Sequence, residues 1–534
     1  YASGEQSSIV VNLGDMSQPN VSAGIDSLTG NLTATFTVGT QSGGQKVVTV
    51  TGNYSGAATN TFKVLANIYI LVPTTGIVGS SLKIQGSGYT GTYSTVSVTF
   101  GGVGVGSIAA GSDGEFVHYI SILTQAYGTR TVEAIDQHCQ TANKPFIITQ
   151  KITSITPRLG TVGNTITVSG NGYPAGQIEF YIESSKRTAQ NKTVSDYGTF
   201  TSTFTIDEQP YGSKTISAGS TVIGLTHVKD SGTISITANI VSISPVSGTI
   251  GSSVTLMGSG FEAGQGIKLD FGSTTISNPA TTTTSGGTWT LTFTVPINEG
   301  ATTTVTADTN AVATASTIFV VQGRITSVAP LSGTVGSSVT VSGDGYKKGE
   351  TVKIEFGSSK SFTTSIDGNN GKFETVVFTV NTQIYGTTSI IVTGQTSGLV
   401  AATGTYKILS DLVATPSIGT VGTTINLLGT GFGNLEQITI DFGTTITITS
   451  KSASGAGSFT ASFSINTQPY GVTTVKARCG AGTPDKIIYV TINPNIVSAT
   501  PSSGTVGTLV TVCGNGYGIS EDVRIRFGTN QTIT

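Results

Sequence analysis

The sequence predicts an all-β protein: a tandem array of small antiparallel β-sandwiches joined end to end. The pattern P-x-x-G-x-[VI]-G-x-x-[LIV]-x-[LIV]-x-G-x-G-[YF] occurs six times, at Pro73, Pro157, Pro245, Pro330, Pro416 and Pro501, so a copy returns every 84–88 residues. Between copies, apolar residues alternate with period two in short runs bounded by Gly, Asn and Asp. No segment carries a convincing helical period. A repeat this regular implies a chain built for length or multiplicity, which leans away from a one-site enzyme.

Composition agrees. By length alone, 534 residues would suggest three or four domains, but the repeat fixes the unit near 86 residues. A unit of that size closes a modest core, so each should fold largely by itself. Charged residues make up 10% of the chain, against about 25% in ordinary soluble proteins, and glycine (71 residues), serine and threonine replace them. Disorder is the bland alternative, but a 37% hydrophobic content in register with the turns argues against it. The formal charge of −2 gives no electrostatic reason to expect nucleic acid or an anionic membrane as partner. No apolar run approaches the ~20 residues that span a bilayer, and these residues hold no signal-peptide pattern, as a mature or clipped form would not.

The unit opening at Pro330 shows how the strands arise. Ile325–Val328 is a short strand ended by a proline, which cannot donate to a central ladder. Gly333 and Gly336 mark the next turn. Ser338–Ser342 alternates, placing Val339 and Val341 on one face. Gly343 and Gly345 keep that parity and Tyr346 has the opposite one, so a glycine bulge is expected to turn the ring back into the core. Val352–Phe356 alternates again and ends at Gly357. The turn Asp367–Gly371 leads into Phe373–Val380; after Gln383-Ile-Tyr385-Gly386 come Ser389–Val392 and a last strand near Tyr406–Leu409. About seven short strands with turns at 8–12-residue spacing read as a sandwich. The equivalents Val162, Ile250, Val335 and Val421 are expected in the core.

A second pattern, Q-x-Y-G, places Tyr127, Tyr211, Tyr385 and Tyr470 between late strands. A tyrosine there can bury its ring and return its hydroxyl to the backbone. The unit from Pro245 has Asn298-Glu-Gly300 instead.

The P-x-x-G-x-V-G-x-x-V-T-V-x-G-x-G-[YF] stretch resembles the opening of IPT/TIG-type immunoglobulin-like repeats, in particular those strung along secreted and surface proteins of bacteria and archaea. The resemblance covers essentially the whole chain. It implies tandem immunoglobulin-like β-sandwich repeats of about 86 residues in a rod-like array. Such modules serve alike as spacers, adhesin stalks, surface-layer units and accessory domains, so the fold alone does not choose among them.

The repeats divide the chain at 1–66, 67–150, 151–238, 239–323, 324–409, 410–494 and 495–534. Residues 1–66 lack the first strands of a repeat and 495–534 lack the last ones. Two readings stand: a window on a longer array, or a subunit whose open C-terminal half-sandwich is completed by the N-terminal half of the next copy.

Candidates for chemistry are few. His118, His138 and His227 are scattered over two repeats, and His138-Cys139 lacks the second half of a zinc site. The G-x-G-[YF] turns open no helix, which removes the dinucleotide reading. Asp367–Gly371 with Glu374 offers oxygen ligands for calcium, but sister loops (Ser112–Gly114, Ser285–Gly287, Ala456–Ser458) lack the set, and a hairpin turn explains them better. Trp289, the single tryptophan, takes the place of Phe200, Phe373 and Phe459, which makes it a packing residue before a sugar platform. Cys139, Cys479 and Cys513 are too few for a disulfide framework, and Cys513 has outward parity. N-glycosylation sequons stand at Asn20, Asn31, Asn53, Asn191 and Asn530. No catalytic residue, metal site or cofactor is expected, and the residues singled out as structural are Gly345, Tyr346 and Tyr385.

The expected function is that of an extracellular structural protein, part of a surface filament, sheath or surface layer, with copies of itself and covalent glycans as partners. The alternatives are the stalk of an adhesin or glycan-binding protein and the spacer of a secreted hydrolase.

Overall fold

Strands form here because β-branched residues recur at every second position and glycines punctuate each run. The structure is a computed structural model. It describes residues 9–18, 21–189, 192–221, 229–297, 300–310, 312–357, 360–366, 371–398, 404–480, 482–528 and 531–533. The described residues are all-β, arranged as tandem immunoglobulin-like sandwiches.

In the repeat at 324–409 the strands are Arg324–Ala329, Ser332–Thr334, Ser338–Asp344, Thr351–Phe356, Lys360–Ser365, Phe373–Thr379, Gly386–Gly394 and Gly404–Leu409. The first, third and sixth form one sheet; the other, in order, is second, eighth, seventh, fourth, fifth. The repeats beginning at Asn67, Lys151, Asn239 and Asp411 have the same two sheets, the one at Lys151 with an extra short strand, Thr193–Val194. Residues 10–64 form a four-stranded sheet and a hairpin, and 495–533 two strand pairs.

Two strands go beyond the sequence reading. Ser332–Thr334 is not a turn: past Pro330 the chain leaves the first sheet and pairs parallel with the last strand of the second, Ser332 opposite Lys407. Gly333 lies inside that pairing. Lys360–Ser365 adds the edge strand of the five-stranded sheet.

The core sits between the sheets. In the 324–409 repeat it includes Val339, Val341, Tyr346, Val352, Ile354, Phe356, Ile390, Val392 and Tyr406, all fully buried. The residues after the motif proline contribute less than expected. Ile250 is buried, but Val162, Val335 and Val421 are half-buried because this segment runs along the sandwich edge. Tyr346 reaches the core by a different device from a bulge in its own strand. Gly345, just past the strand end, has φ +78° and reverses the chain, while the bulge lies on the partner strand between Ile325 and Ser327.

One backbone position tests the turn rule. The glycine closing Q-x-Y-G adopts φ between +103° and +121° at Gly128, Gly212, Gly386 and Gly471, and Gly44 has +102°. The equivalent Ala301 is held at φ +93°, where a β-carbon is strained. Ala301→Gly is therefore expected to stabilise repeat 239–323 by about 1 kcal/mol, measured by urea unfolding; no gain would mean the strain is absent.

Candidate functional site: the junction between repeats

The two glycines of G-x-G-[YF] do different work. The first clears space for an aromatic ring of its own repeat. A β-carbon on Gly86, Gly170, Gly258, Gly343 or Gly429 would lie 2.1–2.5 Å from the ring of Phe116, Phe200, Trp289, Phe373 or Phe459, respectively. Trp289 is thus a core residue, 4% exposed and edge-on to Phe261, not a surface platform. The second glycine faces the preceding repeat. A β-carbon on Gly88, Gly172, Gly260, Gly345, Gly431 or Gly516 would meet the carbonyl oxygen of Leu65, Thr149, Thr237, Gln322, Leu409 or Asn493 at 2.3–2.6 Å. Four of these residues lie between strands and two, Thr149 and Leu409, end the last strand of their repeat, and all six glycines have φ between +68° and +78°.

A second contact joins the same partners. The Q-x-Y-G tyrosine of one repeat donates its backbone N–H to the carbonyl of the motif aromatic in the next: Tyr127 to Tyr173 (3.2 Å), Tyr211 to Phe261 (2.9 Å), Tyr385 to Phe432 (3.1 Å) and Tyr470 to Tyr517 (3.1 Å). Gly43 to Tyr89 and Gly300 to Tyr346, both 2.8 Å, complete the series. A third contact sets the glycine of the next repeat's hairpin against the same segment. β-Carbons on Gly114, Gly198, Gly287 and Gly457 would fall 2.5–2.9 Å from the Cα of Ser42, Ala126, Pro210 and Ile384. The junction is therefore backbone against backbone, which is why the following repeat carries glycine both in its motif turn and in its hairpin.

This changes the role of the Q-x-Y-G tyrosines. Tyr127, Tyr211 and Tyr385 are half-buried and Tyr470 is 57% exposed, so these rings do not enter their own cores. The Lys407 ammonium lies 5.7 Å from the Tyr385 ring centroid, and Tyr211 packs against the core of the following repeat. The buried tyrosine that returns its hydroxyl to the backbone is instead the motif residue: Tyr89 donates to Ala134 and Tyr346 to Val392, each at 3.3 Å. Burial pushes both phenols upward in pKa.

Sequence reasoning missed two further parts. Gln41-Ser42-Gly43-Gly44 is a Q-x-Y-G equivalent whose tyrosine is glycine, legible only once the junction is known. A carboxylate also anchors the turn after the motif aromatic. Glu350 is buried and accepts from Lys347 N, Thr396 N, Ser397 N and Ser397 Oγ. Glu436 accepts from Gly433 N and Gly480 N, and Glu521 from Gly518 N. The signal was a Glu four residues past the aromatic. In repeat 67–150 the carboxylate comes from the hairpin instead: Asp136 accepts from Thr90, His138 and Gln140 backbone N–H groups.

Burial alone would push the Asp136 carboxyl up, but these N–H donors together hold it below its ordinary value. Its stabilising contribution is therefore present above the unfolded value of about 4 and lost as pH falls through the lower folded one. Asp136→Asn is expected to flatten the acid loss of stability of repeat 67–150, followed by hydrogen exchange from pH 6 to 2.5; an unchanged slope would remove Asp136 from the account.

Gly345 and Tyr346 form the junction turn. Asp367–Asn370 and His227 lie outside the described residues, and Glu374 is exposed. Among the described residues no group of three His, Cys, Asp or Glu could hold a metal, and no helix is long and apolar enough to cross a membrane. Cys139 and Cys513 are exposed, Cys479 is half-buried, and all three are free thiols. Burial raises the Cys479 thiol to about 12. Asn31 and Asn53 are exposed; Asn20, Asn191 and Asn530 lie outside the described residues.

Residues 238–320 match the IPT/TIG domain model. No curated protein matches the chain. Similar solved structures include the N-terminal eight Ig domains of Down Syndrome Cell Adhesion Molecule isoform 1.30.30, 14% identical over 91% of this chain and 71% of that one, TM-score 0.18. The Bacteroides ovatus mixed-linkage glucan utilization protein SGBP-B is 13% identical over 58% of this chain and 88% of its own, TM-score 0.18. A tetra-tandem repeat from the extending region of a large adhesion protein is 17% identical over 64% and 98%, TM-score 0.17. Scores this low carry no argument, and the fold rests on the sheets described above and on the domain match. The chain is an immunoglobulin-like repeat protein, with an IPT/TIG domain at residues 238–320.

Proposed function

We propose that this chain is an extracellular structural protein, a rod of immunoglobulin-like sandwiches serving in a surface filament, sheath or surface layer with further copies of itself. The observation that carries the reading is the six-fold junction. The most repeated residues of the sequence hold one repeat against the next, and they spend their polar groups on each other. A low charge content and a Ser/Thr-rich surface suit an exposed, glycan-bearing position, with Asn31 and Asn53 as accessible acceptors. The protein acts by length and stiffness and performs no catalysis.

Electron microscopy of native cells, with antibodies raised against the chain, tests this. Label along filaments, a sheath or a lattice is the expected result. Label confined to the cell interior overturns it, and label on single stalks ending in a different domain supports the adhesin reading instead.

A further inference from the structure

The six junctions are not equivalent, and their differences recur every third repeat. At the tyrosine position of Q-x-Y-G, successive repeats carry Gly43, Tyr127, Tyr211, Gly300, Tyr385 and Tyr470. The preceding residue separates the tyrosine junctions further: Ala126 and Ile384 in one class, Pro210 and Pro469 in the other. A distant position follows the same rhythm. Two residues after the motif proline stand Thr75, Leu159, Ser247, Ser332, Ile418 and Ser503; the two aliphatic ones, 61% and 54% exposed, belong to the two repeats with Q-P-Y-G.

Geometry gives the pattern a mechanical meaning. A β-carbon on Gly43 would lie 2.0 Å from the Gly88 oxygen, and one on Gly300 would lie 1.9 Å from the Gly345 oxygen. At these two junctions the next repeat's turn occupies the space that a tyrosine Cβ fills at the others. The docking therefore differs in kind at glycine junctions. Both also border a polar cleft on the same elements of the preceding repeat, closed by the next repeat's motif turn at Lys347 in one case and by its hairpin at Asp113 in the other. One, about 560 Å³, is lined by Gly272, Ser273, Gly300, Thr302 and Lys347. The other, about 530 Å³, is lined by Gly14, Asp15, Gln41, Ser42, Lys46 and Asp113. The Gln41 side chain is 5% exposed and its Nε2 has no partner among the described residues.

We propose that the structural unit of the array is a block of three repeats, in which a glycine junction sets a distinct repeat-to-repeat orientation at every third joint. The orientation along the array then returns after three repeats rather than one. Anything packing alongside meets the same surface at that longer interval.

Distance measurements by pulsed electron paramagnetic resonance on the full chain, with its three cysteines changed to serine, test it. Spin labels at Ile318→Cys and Ser361→Cys span a glycine junction; labels at the equivalent Thr405→Cys and Ile446→Cys span a tyrosine junction. The two pairs are expected to give distances differing by several ångströms. Gly300→Ala should shift the first pair and leave the second unchanged, because one methyl displaces the apposed turn. Tyr385→Gly should move the second pair toward the first. Equal distances in the parent, or no shift in either variant, overturns the proposal. Should Gly300→Ala fail to fold, Tyr385→Gly decides alone, a shift supporting the three-repeat block and its absence sinking it.

Discussion

Val341→Asp is expected to cost repeat 324–409 about 3–5 kcal/mol, enough to unfold a domain of this size. Val341 is fully buried on the central strand of the three-stranded sheet, between Val328 and Val376 on its neighbours. The one cation on the three strands of this sheet, the half-exposed Arg324, is already used in a two-point ion pair with Asp344. A carboxylate at position 341 would find apolar neighbours and no donor. Hydrogen exchange read by mass spectrometry should show lost protection across 324–409, with fraying at its two junctions and retained protection in the other repeats. Nearest-neighbour contact of this kind is how stability is shared in arrays of small modules. Simultaneous loss across the whole chain would overturn domain-wise folding.

How much of this was legible depends on how local the cause is. Period-two valines such as Val339 and Val341 reveal their buried face because the constraint lies within five residues of sequence. The strand Ser332–Thr334 is too short to alternate, and its partner Lys407 lies at the far end of the repeat, so Gly333 within it and Gly336 after it read as a turn. Gly343 and Gly345 are the same letter with different duties, one facing the Phe373 ring and the other the Gln322 carbonyl. Nothing local distinguishes them. The Q-x-Y-G tyrosines looked like core residues because an aromatic between late strands usually is one. Their actual partner is a backbone carbonyl in the next repeat, as with Tyr127 and Tyr173, and a recurrence in one chain cannot say which two recurring parts touch.

Gly345→Val is expected to damage two repeats at once, which separates a junction residue from an ordinary core residue. The native φ of +78° is available to glycine and strained for a β-branched side chain, at about 1–2 kcal/mol. The new Cβ would also stand 2.5 Å from the Gln322 oxygen and 3.3 Å from the Gly323 Cα, both backbone atoms, so no side chain can swing away. Relieving that overlap costs about 1–3 kcal/mol more. The relief requires the linker to move off the turn, which pulls Tyr346 from its contact with the Gly300 N–H. Gly343→Val is the internal comparison, since its Cβ would strike Phe373 and the Arg324 carbonyl, both within repeat 324–409. Hydrogen exchange should then show Gly345→Val weakening protection in 324–409 and at the end of 239–323, while Gly343→Val weakens 324–409 alone. Identical footprints for the two variants would mean that the second glycine of the motif serves its own repeat and that the junction is incidental.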